Sequence, residues 1–290
     1  MPDSPVEHLP PQAALHLRSR GAYVAKHWFD RLRLRRPGQP NHWQGVRLLG
    51  YHRVTDEADE LAVPPARFGQ HLEALLRAGV EPVGIDRACD IVEGGEPGRY
   101  TTLTFDDGYR DFVDAALPQL ERLGVPAVVY IATHIVDGAT SFTWYDRQPP
   151  VLGWDELADL ARHPLVTIGA HTRSHPSLPR LDAADAREEI AGSRQDAEGH
   201  LPGAVVHFCY PAGHAGPREH ELVRQAGFRS GVTCEPGVNG PDTPLLALRR
   251  TMVPRRDTVA DFKARVAGAV DAEPALLRRL RRLESGVPRQ

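Results

Sequence analysis

The chain has 290 residues, 41% of them hydrophobic, which is enough to bury one large core, and α/β barrels of this size commonly form a single domain. Its 35 basic and 38 acidic residues give a formal net charge of -3, which excludes a global field that attracts nucleic acid or an anionic membrane. The 3 cysteines are widely spaced and odd in number, so they fit neither a disulfide framework nor a thiolate zinc site and indicate a reducing compartment.

Residues 1–44 form a predicted appendage that is rich in proline and carries the basic segment AYVAKHWFDRLRLRRP. This region lacks the basic start and uninterrupted apolar stretch of a secretory signal. No segment of the sequence approaches the roughly 20 apolar residues that cross a bilayer. We therefore expect a cytoplasmic protein without a transmembrane segment, acting on a precursor rather than on assembled cell-wall polymer.

From about Val46 onward, short β-rich runs alternate with amphipathic helical stretches, a pattern typical of βα units around a parallel sheet. The pattern predicts an α/β fold over residues 45–271, a distorted (β/α) barrel of about seven parallel strands. The predicted strands are Val46–Val54, Thr101–Asp106, Ala127–Thr133, Val166–His171, Val205–Tyr210, Phe228–Thr233 and Leu246–Val253. The predicted helices are Pro65–Ala78, Tyr109–Leu123, Trp154–Arg162, Ala183–His200, Pro217–Ala226 and Val259–Val270.

Residues 272–290 contain the segment ALLRRLRRLE, which predicts a basic amphipathic helix or tail. Packing of its leucines on the barrel is the favoured interpretation. Peripheral contact between the basic termini and a membrane surface is the alternative.

The segment TTLTFDDGYRDF ends an apolar strand in two adjacent carboxylates, Asp106 and Asp107. Like charges held close together at a sheltered strand end raise one pKa, so a compensating cation is expected there. Successive strand side chains diverge, so one carboxylate can bind the cation while the other serves as a base. The alternative is that the pair caps the helix predicted to begin near Tyr109.

The segment IGAHTRSHPSL follows a second apolar strand and supplies His171 and His175. A spacing of four predicts that the two imidazoles lie on one side of a helical turn, close enough to share a metal. Two histidine nitrogens and one carboxylate oxygen would leave coordination positions of the metal open for water and substrate, as in catalytic rather than structural metal sites.

Two later segments add groups that serve such a site. VVHFCYPAGHAG forms a stiff strand-to-loop corner at Pro211 and Gly213, where backbone N–H groups can bind an oxyanion. LLALRRTMV places Arg249 and Arg250 in an apolar strand, where neighbouring side chains point in opposite directions. One of the two arginines must therefore face inward, and it needs a carboxylate partner.

These motifs together resemble the polysaccharide deacetylase family, also called carbohydrate esterase family 4 or the NodB-homology domain. TFDDG and HTRSH are similar to its first two motifs, GYHRV precedes them, and FCYPAG and LRRTMV follow in the family's order. The resemblance covers roughly residues 46–254. It implies a distorted (β/α) barrel with Asp106 as the general base, usually zinc as the metal, and the Ala212 N–H in the oxyanion hole. It also implies Asp107, His171 and His175 as the metal ligands.

The sequence departs from the family pattern at two positions. Cys209 stands where many members carry an arginine that orients the catalytic aspartate, so we predict that Arg250 reaches Asp106 instead. LALRRTMV lacks the histidine that many members use as the general acid, which leaves the acid unidentified. Both departures resemble a subgroup with tyrosine-proline, here Tyr210 and Pro211, in the third motif.

Further substrate contacts are predicted from position along the chain. Tyr109 and Trp144 lie near or between the motifs and could stack on a sugar ring, although packing in the core is the commoner role of such residues. His52 follows an apolar strand and is a candidate acid or substrate contact. Tyr210, Pro211, Ala212 and Gly213 of the third motif complete the predicted contacts.

The predicted function is metal-dependent hydrolysis of an N-acyl group on an amino sugar, with Zn²⁺ as the favoured cofactor and Co²⁺, Ni²⁺ or Mn²⁺ as alternatives. The same scaffold could hydrolyse a non-sugar carbon–nitrogen bond, as in a cyclic ureide or formamide, because fold alone does not decide the substrate. A catalytically silent glycan-binding barrel and an iron oxygenase triad are the remaining alternatives. The expected partner is an N-acetylated sugar or glycan precursor, and no nucleic acid is expected.

Overall fold

The computed structural model describes residues 43–271. Almost all of the predicted appendage at residues 1–44, and all of the predicted basic tail at residues 272–290, lie outside the described residues. The division of the chain into these three parts stays a prediction. Among the helices of the described residues, none combines the length and the apolar character of a membrane span.

The described residues form a nearly closed barrel of seven parallel strands surrounded by helices, which confirms the predicted fold class. The strands are β1 Gly45–Tyr51, β2 Arg53–Val54, β3 Ala62–Val63, β4 Glu81–Pro82, β5 Arg99–Phe105, β6 Ala127–Ile131, β7 Val166–Ala170, β8 His207–Cys209, β9 Ser230–Val232 and β10 Arg250–Met252. The barrel order is β10-β1-β5-β6-β7-β8-β9, and β4 pairs with β5 outside this path. Parallel pairing of Val232 with Leu248, just before β10, nearly closes the ring.

Helices fill most of the connections between the strands. They are α1 Pro65–Arg77, α2 Ile85–Gly94, α3 Leu117–Leu123, α4 Thr133–Val136, α5 Trp154–Leu160, α6 Ala183–His200, α7 Pro217–Gln225 and α8 Val259–Val266. The helix expected from Tyr109 begins later, as a π-helical turn at Phe112–Ala116 that leads into α3. Helix α2 was not predicted, because its helical spacing of apolar residues is confined to 10 residues.

Strand side chains alternate between the barrel interior and the outer helices. Leu48, Val128 and Tyr130 pack in one core cluster with the buried face of α2. Their neighbours Leu49 and Val129 pack in the larger cluster with the other helices. This period of two follows from the pleat of a strand, and it accounts for apolar residues at nearly every position of β1 and β6.

The carboxyl ends of the barrel strands place the chemically important residues on one face. Asp106 and Asp107 directly follow β5, His171 follows β7, and His52 follows β1. The Asp106 N–H donates to the Tyr51 carbonyl at 3.0 Å, which extends the β1–β5 pairing to the first carboxylate. Because the strands are parallel, residues far apart in sequence meet at this face.

Candidate active site

Asp106 and Arg250 form a buried ion pair at the centre of this face. Arg250 donates from Nη1 to Asp106 Oδ1 at 2.6 Å and from Nη2 to Oδ2 at 2.8 Å. The exposed fractions are 1% for Arg250 and 3% for Asp106. Burial alone raises the pKa of Asp106, but the charges of Arg250 and His171 outweigh it and hold the pKa well below its usual value. Asp106 is therefore ionised at neutral pH.

The Arg250 guanidinium is held by neighbours other than Asp106. Nη1 also donates to the Thr104 hydroxyl at 3.0 Å, and Nε donates to the Thr233 carbonyl at 3.3 Å. Nη2 lies 3.2 Å from Cys209 Sγ and 3.4 Å from Cys234 Sγ. The contact between Arg250 and Asp106, predicted from the apolar strand and from Cys209 in the third motif, is thus present, and its geometry is fixed by the surrounding strands.

Asp107 lies beside Asp106 in a different environment. Its exposed fraction is 1%, and neither carboxylate oxygen has a hydrogen-bond partner among the described residues. Burial and the negative charge of Asp106 raise the pKa of Asp107 well above its usual value. Burying an ionised carboxylate is costly unless a cation compensates its charge, so Asp107 is suited to bind a metal ion.

Two histidine nitrogens face the same oxygen of Asp107. Nε2 of His171 and Nε2 of His175 each lie 3.8 Å from Asp107 Oδ1. Burial lowers the pKa of His171 to about 4, and burial together with the charge of His171 lowers the pKa of His175 well below its usual value. Both imidazoles are therefore neutral at pH 7, the protonation state that metal ligation requires. These three residues form a group able to hold a metal ion.

The chain segment from His171 to His175 is a loop, so the helical turn predicted from their spacing is wrong. Thr172 and His175 have left-handed backbone angles, with φ of 67° and 58°. These angles turn the chain back on itself and bring the two ring centroids to 4.7 Å. Nδ1 of His171 lies 2.7 Å from the Cys209 carbonyl, which fixes the tautomer with Nδ1–H as donor and leaves the Nε2 lone pair facing Asp107.

A second group of donors, Asp106, His171 and Cys209, also lies close enough together to suggest a metal site. The Arg250 guanidinium already contacts both Asp106 and Cys209 within this group. A divalent ion there would lie against a buried positive charge, so the geometry favours the group built on Asp107.

The site opens into a cavity of about 1040 Å³ at the carboxyl ends of the strands. Of the residues predicted from the sequence, those that line it are His52, Asp106, Asp107, Trp144, His171, His175 and Ala212. The Asp107 and Ala212 backbones adopt left-handed φ of 74° and 54°, which turns each loop toward the cavity. The acidic pair does not cap a helix, since the following helical turn begins only at Phe112.

Comparisons with known proteins agree with this fold. Residues 93–231 match the sequence model of the polysaccharide deacetylase family. Over this range, the chain is similar to the polysaccharide deacetylases. The matched range contains Asp106, Asp107, His171 and His175, whereas Arg250 and His52 fall outside it.

Individual relatives are distant. YxkH of Bacillus subtilis (strain 168), assigned by its name to the polysaccharide deacetylases, is 25% identical over 208 residues, or 71% of this chain and 70% of that protein. The poly-beta-1,6-N-acetyl-D-glucosamine N-deacetylase of Escherichia coli (strain K12) is 28% identical over 285 residues, which cover 81% of this chain and 40% of that protein. The solved structure of IcaB from Ammonifex degensii has a TM-score of 0.67 at 24% identity, covering 79% of this chain and 98% of that one, and supports the fold.

Several predicted contact residues do not reach the cavity with their side chains. Tyr109 is 1% exposed and packs against Phe142, at a centroid distance of 5.6 Å. Tyr210 is buried, and its hydroxyl donates to the Leu246 carbonyl at 2.9 Å. Pro211 is buried and Gly213 half-buried, and neither lines the cavity. Sequence motifs predict that residues are near a site, but they do not fix the direction of each side chain.

The cavity wall includes charged residues that the sequence did not single out. Arg53 is buried and forms ion pairs with Asp59 at 2.9 Å and Asp111 at 2.8 Å. The Tyr145 hydroxyl donates to Asp59 at 2.6 Å. Arg53 and Asp59 together thus link the segment after β1 to Asp111 and to Tyr145. The available signal was its position in the GYHRV segment, one residue after His52.

Proposed function

We propose that this protein is a deacetylase that removes the N-acetyl group from an amino sugar within a glycan or glycan precursor, by metal-dependent hydrolysis. The observation that carries the proposal is the contrast between two adjacent carboxylates. Asp106 is ionised and held by Arg250, whereas Asp107 is buried, has no hydrogen-bond partner within residues 43–271, and faces two neutral histidines. One carboxylate suits proton transfer and the other suits a divalent ion.

The ion would be held by Asp107, His171 and His175, and zinc is the favoured metal, since it commonly binds nitrogen and carboxylate oxygen ligands. Co²⁺, Ni²⁺ and Mn²⁺ are alternatives. When bound, the ion supplies Lewis-acid polarisation of the amide carbonyl and of a water molecule.

The residues of the chain perform the proton transfers. Asp106 accepts a proton from the attacking water, and Arg250 keeps its carboxylate ionised and oriented. The backbone N–H of Ala212 donates to the oxygen that becomes negatively charged as the tetrahedral centre forms. Breaking the carbon–nitrogen bond releases acetate, and the nitrogen takes up a proton to become a free amine.

The return of that proton involves Asp106 and His52. His52 lines the cavity, and its Nε2 lies 3.9 Å from Asp106 Oδ2. Burial lowers the pKa of His52, although the charge of Asp106 acts in the opposite direction. His52 is thus neutral before the reaction and can relay the proton from Asp106 to the leaving nitrogen.

One relative and the cavity support the proposed substrate class. The Escherichia coli relative is named for N-deacetylation of poly-beta-1,6-N-acetyl-D-glucosamine, and the present chain spans 40% of its length. Trp144, 40% exposed at the cavity wall, offers a face on which a sugar ring can stack. The cytoplasmic location predicted from the sequence stays a prediction, which fractionation of the native protein would test.

The proposal is tested by measuring acetate release by the zinc-loaded protein from a panel of N-acetylglucosamine oligosaccharides, N-acetylated nucleotide sugars, and small amides and ureides. We expect release from the sugar substrates, with Asp106→Asn and Asp107→Ala as inactive controls. Release from small amides alone would contradict the sugar assignment. Absence of release from the whole panel would contradict the N-deacetylase.

A further inference from the structure

The loop between the two histidines of the proposed metal site adopts a conformation that its own residues do not favour. Thr172 is β-branched, yet its φ is 67°, and His175 has a φ of 58°. Left-handed angles are uncommon outside glycine and are least favourable for β-branched residues. Inside the loop, the His175 N–H donates to the Thr172 hydroxyl at 3.0 Å, and further contacts come from outside the loop.

One side of the loop is held by backbone groups. The N–H of Thr133 donates to the Thr172 carbonyl at 3.2 Å, and the N–H of His134 donates to the Arg173 carbonyl at 2.9 Å. Both donors belong to the start of α4, which follows β6. Substitution of side chains would leave these bonds in place.

On the other side of the loop, the backbone is held by the Glu189 side chain of α6. Its Oε2 accepts from the N–H groups of Arg173 and Ser174, each at 2.9 Å. Its Oε1 accepts from the Ser174 hydroxyl at 2.5 Å. Three donors of the two central loop residues therefore converge on one carboxylate, and hydrogen bonds to an ionised acceptor are stronger than neutral ones.

We propose that Glu189 is a positioning residue for the metal site: it fixes the loop that presents His171 and His175 to Asp107. This inference rests on the proposed function. Glu189 does not line the cavity and touches neither histidine side chain, so it acts through the loop backbone. Groups that orient metal ligands contribute strongly to metal affinity.

The same helix supplies a matched control. Glu188 precedes Glu189 and pairs with the Arg173 guanidinium, and its side chain is 73% exposed. Glu188 accepts no bond from the loop backbone in the described hydrogen bonds, so its loss removes only a surface ion pair of small value.

A second anchor keeps the fold intact when Glu189 is replaced. The Arg173 guanidinium donates to both oxygens of Asp196, at 2.7 and 2.8 Å. Gly192 permits this, since a Cβ at that position would lie 2.3 Å from the Arg173 Cζ. Ile190, beside Glu189, remains buried in the main core. Glu189 variants should therefore fold.

The test measures zinc affinity by calorimetric titration for the wild-type protein, Glu189→Ala, Glu189→Gln and Glu188→Ala. We expect Glu189→Ala to lose about 10- to 100-fold in affinity, the usual scale for losing a group that orients a ligand. Glu189→Gln should keep most of it, because the amide oxygen still accepts both N–H bonds and the amide nitrogen can donate to Ser174. Glu188→Ala should match the wild-type protein.

Hydrogen exchange of the metal-free proteins tests the anchor without metal. The amides of Arg173 and Ser174 should exchange faster in Glu189→Ala than in the wild-type protein, and Glu189→Gln should restore their protection. Unchanged exchange in Glu189→Ala, or an equal loss of zinc affinity in Glu188→Ala and Glu189→Ala, would overturn the inference. Absence of zinc binding by the wild-type protein would instead overturn the metal centre, and the exchange comparison would still decide whether Glu189 holds the loop.

Discussion

Arg249 and Arg250 are neighbours in sequence but lie in opposite environments: Arg249 is exposed, and Arg250 is 1% exposed. The alternation of side chains along an extended segment separates them. Only Arg250 can therefore reach Asp106 inside the barrel, and Arg249 provides a control that shares its charge and its place in the chain.

Arg250→Met should raise the pKa of Asp106, because the main charge that lowers it is removed while burial remains. In the wild-type protein the depressed pKa keeps Asp106 ionised, and the associated stability is lost only as pH falls below the unfolded value of about 3.9. The acidic limb of the pH–rate profile should therefore move upward in Arg250→Met, with metal content unchanged. Arg249→Met should leave the profile in place. Equal shifts in both variants would refute the orienting role of Arg250.

Asp106→Asn should keep the metal and lose turnover on the order of 10²-fold or more, the usual scale for a positioned acid or base. Metal content by elemental analysis and kcat by acetate release separate the two effects. A near-normal kcat would remove Asp106 as the base.

Asp106→Asn should also destabilise the protein, because it leaves the Arg250 charge buried without its partner, at a cost of about 3–5 kcal/mol. The double variant Asp106→Asn/Arg250→Met should lose less stability than the sum of the two single variants. Denaturant unfolding measures both. Additive losses would show that the ion pair is not coupled in the folded state.

Much of this site follows from sequence because parallel strands bring their carboxyl ends together. Apolar runs that end in Asp106 and in His171 place these residues on one face without further information. Strand alternation predicts that either Arg249 or Arg250 faces inward, and the cysteine at position 209 of the third motif indicates Arg250. The loop from His171 to His175 could not be predicted, since a spacing of four favours a helical turn.

The conformation of the loop from His171 to His175 depends on contacts with residues that are distant in sequence. The left-handed angle of Thr172 is unfavourable locally, and the bonds that hold this loop come from Glu189 and from the start of α4. Local sequence preference carries no information about such partners. Tyr210 shows a related limit, because its motif predicts its place in the chain and not that its hydroxyl turns into the core.

Zinc should raise the unfolding temperature of the wild-type protein, since binding to the folded state alone stabilises it, by about 2.7 kcal/mol at 100 times Kd. Asp107→Asn should abolish this increment. Without metal, the variant should be at least as stable as the wild-type protein at pH 7, because burial and the charge of Asp106 already disfavour the ionised carboxylate. Thermal unfolding with zinc and with a chelator measures both effects.

Asp114→Asn is the control for this comparison, since Asp114 is an exposed carboxylate of the same segment outside the ligand group. It should keep the full zinc increment. An undiminished zinc-induced rise in unfolding temperature in Asp107→Asn would contradict the assignment of Asp107 as a metal ligand.

Trp144 should contribute to substrate binding and little to the chemical step. Its ring stacks on Phe142 at a centroid distance of 4.6 Å and meets the edge of His175 at 4.9 Å, so it is held rigidly at the cavity wall while 40% exposed. A sugar stacked on this ring gains about 0.5–1.5 kcal/mol, which corresponds to roughly a twofold to twelvefold change in affinity. Trp144→Ala should raise KM by that factor with kcat nearly unchanged, because the lost contact is the same in the ground state and the transition state.

Trp144→Phe should recover part of the affinity, since a smaller aromatic face remains. Leu76→Ala, which removes a side chain of similar exposure, 37%, from helix α1 away from the cavity, should leave both constants unchanged. Zinc affinity is measured in parallel because of the contact with His175, and it should match the wild-type protein. A fall in kcat or in zinc affinity with KM unchanged would instead assign Trp144 to the support of His175 and not to the sugar.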